Sequence, residues 1–493
     1  MKYYAAIDIG TTNIKCAIFK EENGELSLCD KLEHECGLIH PSALEVEQDA
    51  LLWWDTICKM LKTFSAHYEI TAVGISSQGI TIVPVDKNNE PLHNAISWLD
   101  KRHSNGRLAA INRISKRRFR GITARQSHDD YGIAKISWLL YNKPEIVENT
   151  HMYLMPMDFI IAKLCGNWVT DHSMAAGTAA YSIKNKRWSK TILNTFRVPT
   201  NKLPTIQISG TEAGHITTSA SKQTGLKEGT IVAIGAQDQK CGALGVGFKK
   251  GVAALSMGTA FALSIKLDEF VQTQSGFIPI FAGILGEGYQ WEACIATGGE
   301  ALQWIGRLFD MSSETMSDLV ADYTADEHSP YFFPHLLGCY HPRMYPNACG
   351  GFYNLFLATD KVSMIYAVME GVAFSLNQNI VLAKAAGEQI DDIYAYGGGS
   401  RSDSWLQLLA DVSGIRIHAL VVDDASCIGA AMLAAMACGV SNVYHENKFR
   451  RVFEPDFSKH AILQQRFKAF NKIEELTFGN VKLRSDFKRQ NIP

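Results

Sequence analysis

The chain has 493 residues, 46% of them hydrophobic and 20% charged, with a formal net charge of −2. That length exceeds a single core and sets two domains as the default, while the near-neutral balance excludes a global field that would recruit nucleic acid or a membrane surface. Eleven cysteines, odd in number and without a C-x-x-C pair, argue against a disulfide framework or a zinc site and for reduced thiols in a cytoplasmic protein.

In chain order, "YYAAIDIG" enters a strand pattern within three residues, with no charged and apolar leader before it, so no secretory signal is expected. The strand carries Asp8 in its middle, turns through Gly10-Thr11-Thr12 and is followed by a second apolar run. Burying an unpaired carboxylate is costly, so Asp8 must face something. A Gly-Thr turn lets backbone N–H groups and hydroxyls approach a phosphate, and Asp8 could hold a Mg²⁺ that bridges such phosphates. The plain alternative is a solvated Asp beside a hairpin tip.

"ALLWWDTICKMLKTF" has helical spacing, and "ITAVGISSQ" reads as a strand ending in a small-residue turn. "AISWLDKR" follows with Trp98, Asp100 and Arg102. An aromatic face beside charged groups suits a sugar; the alternative is a buried Trp with a surface ion pair. The basic "KRRFR" at 116–120 stands alone and reads as a solvated helix face. "YGIAKISWLLYN" is helical in pattern. "GTIVAIGAQ" is a strand that delivers Asp238 to a helix start, where it is either an N-cap or a general base for a hydroxyl attacking phosphorus.

"VAALSMGTAFALSIK" at 252–266 repeats the strand, Gly-Thr, strand pattern of residues 5–19. The chain therefore reads as two related α/β halves, 1–246 and 247–493, facing each other across a cleft, where ligands usually bind. "SMIYAVMEGVAFSLNQNIVLAKAAG" is helical, and "YGGGSRSDSWLQLLAD" is a strand, three glycines and a helix that do not spell G-x-G-x-x-G. "ASCIGAAMLAAMACGVS" at 425–441 is short for a membrane span and reads as a closely packed helix. The chain has no P-loop, H-E-x-x-H or G-x-S-x-G motif.

Together these residues resemble the FGGY carbohydrate kinases, over nearly the whole chain to about residue 440. The resemblance rests on "DIGTT", W-x-D-x-R near 100, K-x-x-W-L at Lys135–Leu139, Asp238-Gln239, "SMGTA" and GGG-x-R-x-x-x-W-x-Q-x-x-AD. It implies two duplicated ribonuclease-H-like (actin-like ATPase) domains, an α/β fold that closes on ATP and a sugar or polyol. It further implies that Gly10, Thr11, Thr12 and Lys15, with Gly258 and Thr259 in the second hairpin, contact phosphates. Gly299, Gln303, Gly398, Gly399 and Ser402 would line the nucleotide pocket. Asp8 and Asp238 would hold Mg²⁺, with Asp238 also the base. Gln78, Gly79, Trp98, Asp100, Asp130 and Gln239 would line the sugar site. Three positions depart from the family pattern: Ser402, where Asn is frequent, and Gly79-Ile80, where glycerol kinases carry Arg-Glu and D-xylulose kinases Met-His. The expected acceptor is a pentulose such as xylulose, with glycerol, a tetritol or an aldonate behind it. The rivals are an actin-like ATPase without sugar transfer and a non-catalytic sugar-binding regulator. A homodimer is left open.

Overall fold

The structure is a computed structural model that describes residues 2–102, 113–126, 131–271, 277–422 and 424–479. Lys2–Ile9 (β1) is buried along most of its length, as a central strand must be, and pairs antiparallel with Asn13–Glu22 (β2), placing Asp8 opposite Lys15. Glu25–Glu35 (β3) extends the meander. Asp49 caps Ala50–Ser65 (α1), accepting from the Leu51 and Leu52 N–H groups. This helix returns the chain to Ile70–Ser77 (β4), parallel to β1, with Ser76 beside Asp8. The short helix His172–Gly177 (α2) precedes Glu212–His215 (β5) and Ile231–Ala233 (β6), and the sheet runs β5-β6-β4-β1-β2-β3. Asp238–Gly245 (α3) follows.

The second sheet is built on the same plan. Gly251–Met257 (β7) and Phe261–Leu267 (β8) form its central hairpin, and Ile280–Ala282 (β9) and Tyr289–Ile295 (β10) continue it. After helices Gly298–Phe309 (α4) and Lys361–Ala385 (α5), Ile390–Tyr396 (β11) lies parallel to β7. Helix Asp403–Ser413 (α6), strand Arg416–Leu420 (β12), helix Ala425–Ala437 (α7), edge strand Phe449–Phe453 (β13) and helix Phe457–Phe478 (α8) complete it. The order β9-β10-β8-β7-β11-β12-β13 keeps the first sheet's antiparallel hairpin, its two parallel neighbours and its antiparallel edge. The duplication inferred from the two Gly-Thr hairpins is thus one of whole topology.

Helices α3 and α7 cross between the sheets. α7 packs on the first sheet through Cys427, Ala430 and Ala434 against Tyr4, Ala6 and Ala72. α3 packs on the second through Ala243 and neighbouring Val246 against Ala254, Tyr396 and Leu420. Their backbones touch: a Cβ at Gly429 would lie 2.0 Å from the Cys241 carbonyl, and one at Gly245 2.2 Å from that of Ala425. Most of the segment 425–441 is thus the internal helix Ala425–Ala437, as expected, and no helix among the described residues is long and apolar enough to cross a membrane. The basic cluster forms the helix Lys116–Thr123, with Phe119 buried and Lys116, Arg117 and Arg118 in solvent, a solvated face.

Candidate active site

Both carboxylates singled out in the sequence lie where the halves meet. Asp8, near the end of β1, accepts a 2.7 Å hydrogen bond from the Ser76 hydroxyl on β4. Burial pushes its carboxyl above the usual range, against the pull of Ser76 and Lys15. Asp238 is the first residue of α3, while Gln237 holds the cap position, so Asp238 does not serve as the N-cap. It accepts from the Gln239 N–H at 2.7 Å. Burial first, and then the charge of Asp8, raise its carboxyl to about 7. A carboxylate poised there has the basicity that proton abstraction near neutral pH requires.

The Gly-Thr hairpins present their tips to solvent. In the first, the Gly10 N–H bonds to the Asn13 carbonyl at 2.9 Å, and Thr12 is exposed. In the second, the Gly258 N–H bonds to the Ala260 carbonyl at 3.2 Å, and Gly258 and Thr259 are exposed. The start of α4 presses on this tip. Its Glu300 N–H donates to the Thr259 carbonyl at 3.0 Å, and a Cβ on Gly299 would come within 2.2 Å of the Gly258 carbonyl. Gln303 lies one turn further on, exposed. The glycine turn after β11 packs on the end of β7: Gly397 has φ +92°, Gly399 abuts Met257, and Gly398 is open. The hairpin, the α4 start and the glycine turn are therefore contiguous around the end of β7.

Gln78 links the first hairpin to the neighbouring loops. Buried at the end of β4, it donates to the Gly10 carbonyl at 3.2 Å and to Gln48 at 2.9 Å. Gly79 leaves room for Gln237, whose side chain would lie 3.1 Å from a Cβ there. Ile80 has φ +68°, a strained conformation for a β-branched residue, so the two positions that depart from the familiar signatures form an unusual turn. Trp98 is 40% exposed, and its indole N–H donates to the Thr11 hydroxyl at 2.9 Å. It is an open aromatic surface beside the first hairpin rather than a core residue. Gln239 is partly exposed next to Asp238.

Three expected contacts are placed differently. Asp100 is fully buried, and its oxygens accept from the Val46 N–H at 2.7 Å and the Arg102 side chain at 2.8 Å. Arg102 also pairs with Glu47 and lies over Trp138, so Asp100 braces the loop from below instead of facing a ligand. Lys15 reaches across to Asp424, just before α7, at 2.5 Å, and Lys31 binds the other oxygen at 2.6 Å. Ser402 caps α6 through the Trp405 N–H at 3.2 Å and shares a 2.6 Å hydrogen bond with Ser317, because a hydroxyl at a helix start is the natural acceptor for a free amide. Asp130 lies outside the described residues. Sequence reading missed Ser76, Gln48 and Asp424. Ser76 was legible as a small polar residue on the strand beside Asp8; Gln48 and Asp424 have no local signal, since their roles arise from segments distant in sequence.

Two family models match the chain: the N-terminal domain of the FGGY family of carbohydrate kinases over residues 3–245, and the C-terminal domain of that family over 253–438. A xylulose kinase of Staphylococcus xylosus is 26% identical over 454 residues, covering 90% of this chain and 93% of its own. Among solved structures, a ligand-bound xylulose kinase from Lactobacillus acidophilus has a TM-score of 0.89 at 24% identity, covering 97% of this chain and 99% of its own. A gluconate kinase from the same organism also has a TM-score of 0.89, at 25% identity with the same coverage. The duplicated sheets, the paired hairpins and the match of both family domains in order lead to one conclusion: the chain belongs to the FGGY family of carbohydrate kinases, enzymes that phosphorylate a sugar.

Proposed function

We propose that the chain transfers the γ-phosphoryl group of ATP to a hydroxyl of a pentulose such as D-xylulose, with Asp238 as the base. The observation that carries this reading is the position of Asp238: it opens α3 at the junction of the two halves, within electrostatic reach of Asp8, and its carboxyl is raised to about 7. Residues 1–246 form the sugar domain and 247–493 the nucleotide domain. The Gly10–Thr12 and Gly258–Thr259 tips hold phosphates, with Lys15 tied to Asp424 behind the first tip. Gly299, Gln303, Gly398, Gly399 and Ser402 shape the nucleoside side, the last through its cap. Gln78, Gly79, Trp98 and Gln239 meet the acceptor, with Asp100 bracing their loop. Asp8 and Asp238 fit Mg²⁺, because both are hard oxygen donors whose crowded negative charge raises Asp238 and a divalent cation would relieve. When bound, the ion neutralises phosphate charge. Asp238 takes the proton of the attacking hydroxyl, and the surrounding loops exclude water. Eleven free cysteines agree with a cytoplasmic setting.

Pentulose is favoured by the full-length similarity to the Staphylococcus xylosus xylulose kinase. An aldonate acceptor is the second reading, favoured by the equally similar gluconate kinase fold and by the Gly79-Ile80 turn. Coupled ADP release over C3 to C7 polyols, ketoses and sugar acids separates the two readings. D-Xylulose is expected to rank first; turnover of gluconate alone would replace the pentulose reading. Asp238→Asn is expected to lower sugar-dependent turnover by about 10²–10⁴-fold, and parental turnover in that variant would remove Asp238 from the role of base.

A further inference from the structure

Beside Asp238, a single phenylalanine ring carries two buried cations. The ammonium of Lys240, on the first turn of α3, lies 3.3 Å from the centroid of Phe281 on β9. The guanidinium of Arg125 lies 3.6 Å from the same centroid. Lys240 is completely buried and Arg125 is 2% exposed. Glu292 on β10 forms an ion pair with Lys240 and is close enough to Arg125 to act on its charge. Arg125 otherwise donates to the Ala176 carbonyl at 3.5 Å, and its Nε has no hydrogen-bond partner among the described residues. Two desolvated cations on one ring repel each other, so the ring and Glu292, with the charge of Asp238 also acting on Lys240, hold them only in a fixed geometry.

This pair is the inner end of a longer seam. Arg120 lies over Phe277 at 5.1 Å, Lys184 over Phe270 at 4.9 Å and Lys186 over Tyr289 at 6.0 Å. Lys186 also donates to the Gly286 carbonyl at 2.6 Å. Every cation in the seam comes from residues 120–240 and every ring from residues 270–289. The seam therefore joins the two halves, and only Lys240 lies on the helix that opens with Asp238.

We propose that Lys240 is a positioning residue for phosphoryl transfer: its anchorage to Phe281 and Glu292 fixes the first turn of α3 against the second half, so that Asp238 faces the acceptor in register with the phosphate hairpins. The proposal rests on the kinase reading with Asp238 as base. Lys240 touches no reacting group in this scheme. It acts by removing the rotational and translational freedom of α3 at the one place where a small displacement moves the base. A shift of about 1 Å in such a group can cost about 10²-fold in rate.

The test compares Lys240→Met, Lys240→Arg and the double variant Lys240→Met/Glu292→Leu, using the acceptor that the ADP-release screen ranks first. The double variant removes both buried charges and so separates positioning from an uncompensated carboxylate. Lys240→Met and the double variant are expected to lose about 10–10²-fold in kcat, with KM for the acceptor and for ATP changed less than about threefold. Lys240→Arg, which keeps the cation over the ring, is expected to recover most of the rate. The proposal is overturned if the double variant folds and keeps parental kcat. It is equally overturned if Lys240→Arg is as impaired as Lys240→Met, or if KM rises in step with the loss of kcat. Failure of the underlying reading has different signatures: the parent would release no ADP in a sugar-dependent way if the chain is not a kinase, and Asp238→Asn would retain parental sugar-dependent turnover, whatever Lys240 does, if Asp238 is not the base.

Discussion

Asp158 illustrates how burial sets the behaviour of one residue. Its carboxyl is fully buried at the start of the helix Pro156–Cys165, where one oxygen accepts from the Met155 N–H at 3.0 Å. Burial pushes its pKa well above the ordinary carboxylate range, against the pull of that amide. A folded-state value above the unfolded one gives stability that is complete below the unfolded value and is lost as pH rises through the folded one. Asp158→Asn keeps an acceptor for the amide and abolishes the titration. Relative to the parent, the variant is expected to gain stability as pH rises from acid to neutral, by at most about 1.4 kcal/mol per pH unit. Urea unfolding at a series of pH values checks this, and a parent–variant difference that stays constant with pH would refute it. Trp98 and Asp100 show the same force acting in opposite senses. The indole is left open with its N–H on Thr11, whereas the carboxylate two residues away is sealed under the loop with Arg102.

At the scale of elements, the crossing of α3 and α7 is the packing event that places Asp238. The helices approach so closely because glycines line their contact: a Cβ on Gly429 would lie 2.0 Å from a backbone carbonyl, and backbone cannot rotate away as a side chain can. Gly429→Ala is therefore expected to destabilise the protein by about 1–3 kcal/mol. It should also lower turnover at temperatures where the variant remains folded, because α3 must move. Thermal unfolding and specific activity measured on one preparation would show both effects; a variant with parental melting and activity would mean that the helices can separate freely. The two Gly-Thr hairpins likewise depend on what packs behind them, Gln78 and Gln48 for the first and the start of α4 for the second.

At the scale of the whole molecule, the chain past the second matched domain straps back onto it. Helix α8 delivers Arg466 to Glu370 in the middle of α5, two bonds of 2.7 Å with both side chains buried, and Arg466 also binds the Asp326 and Pro330 carbonyls at 2.6 and 3.1 Å. Two turns later, Glu474 gathers His335, Arg343 and Gln378. Glu370→Ala would leave the guanidinium buried without its carboxylate, at a cost of about 3–5 kcal/mol. The expected outcome is a large fall in the thermal midpoint that Glu370→Leu/Arg466→Met largely recovers. A single variant that melts with the parent would show that α8 contributes little to the second half. The halves themselves are joined by the apolar packing of α3 and α7 on the opposite sheets, by the cation–ring seam on one side and by Lys15 and Lys31 on Asp424 on another.

The sequence alone determined the α/β class, the duplication and the family. These rest on local signals: period-2 and period-3.6 apolar patterns, a Gly-Thr turn written twice, and an acid after a strand at the midpoint. Such signals survive in one dimension because each depends on neighbours within a few residues. Only the tertiary structure decided which polar groups remain open to a ligand. Asp100, Lys15 and Ser402 carry residue types suited to a site, yet Arg102, Asp424 and the α6 amides claim them, and the distance from Lys15 to Asp424 spans most of the chain. Lys240 shows the same limit from the other side. A lysine in "QDQKCG" has no visible partner in the sequence, and its meaning appears only when folding brings Phe281 and Glu292 of the other half against it. Local pattern fixes what an element is, whereas desolvation and pairing across elements, which depend on three-dimensional proximity, fix what each side chain is free to do.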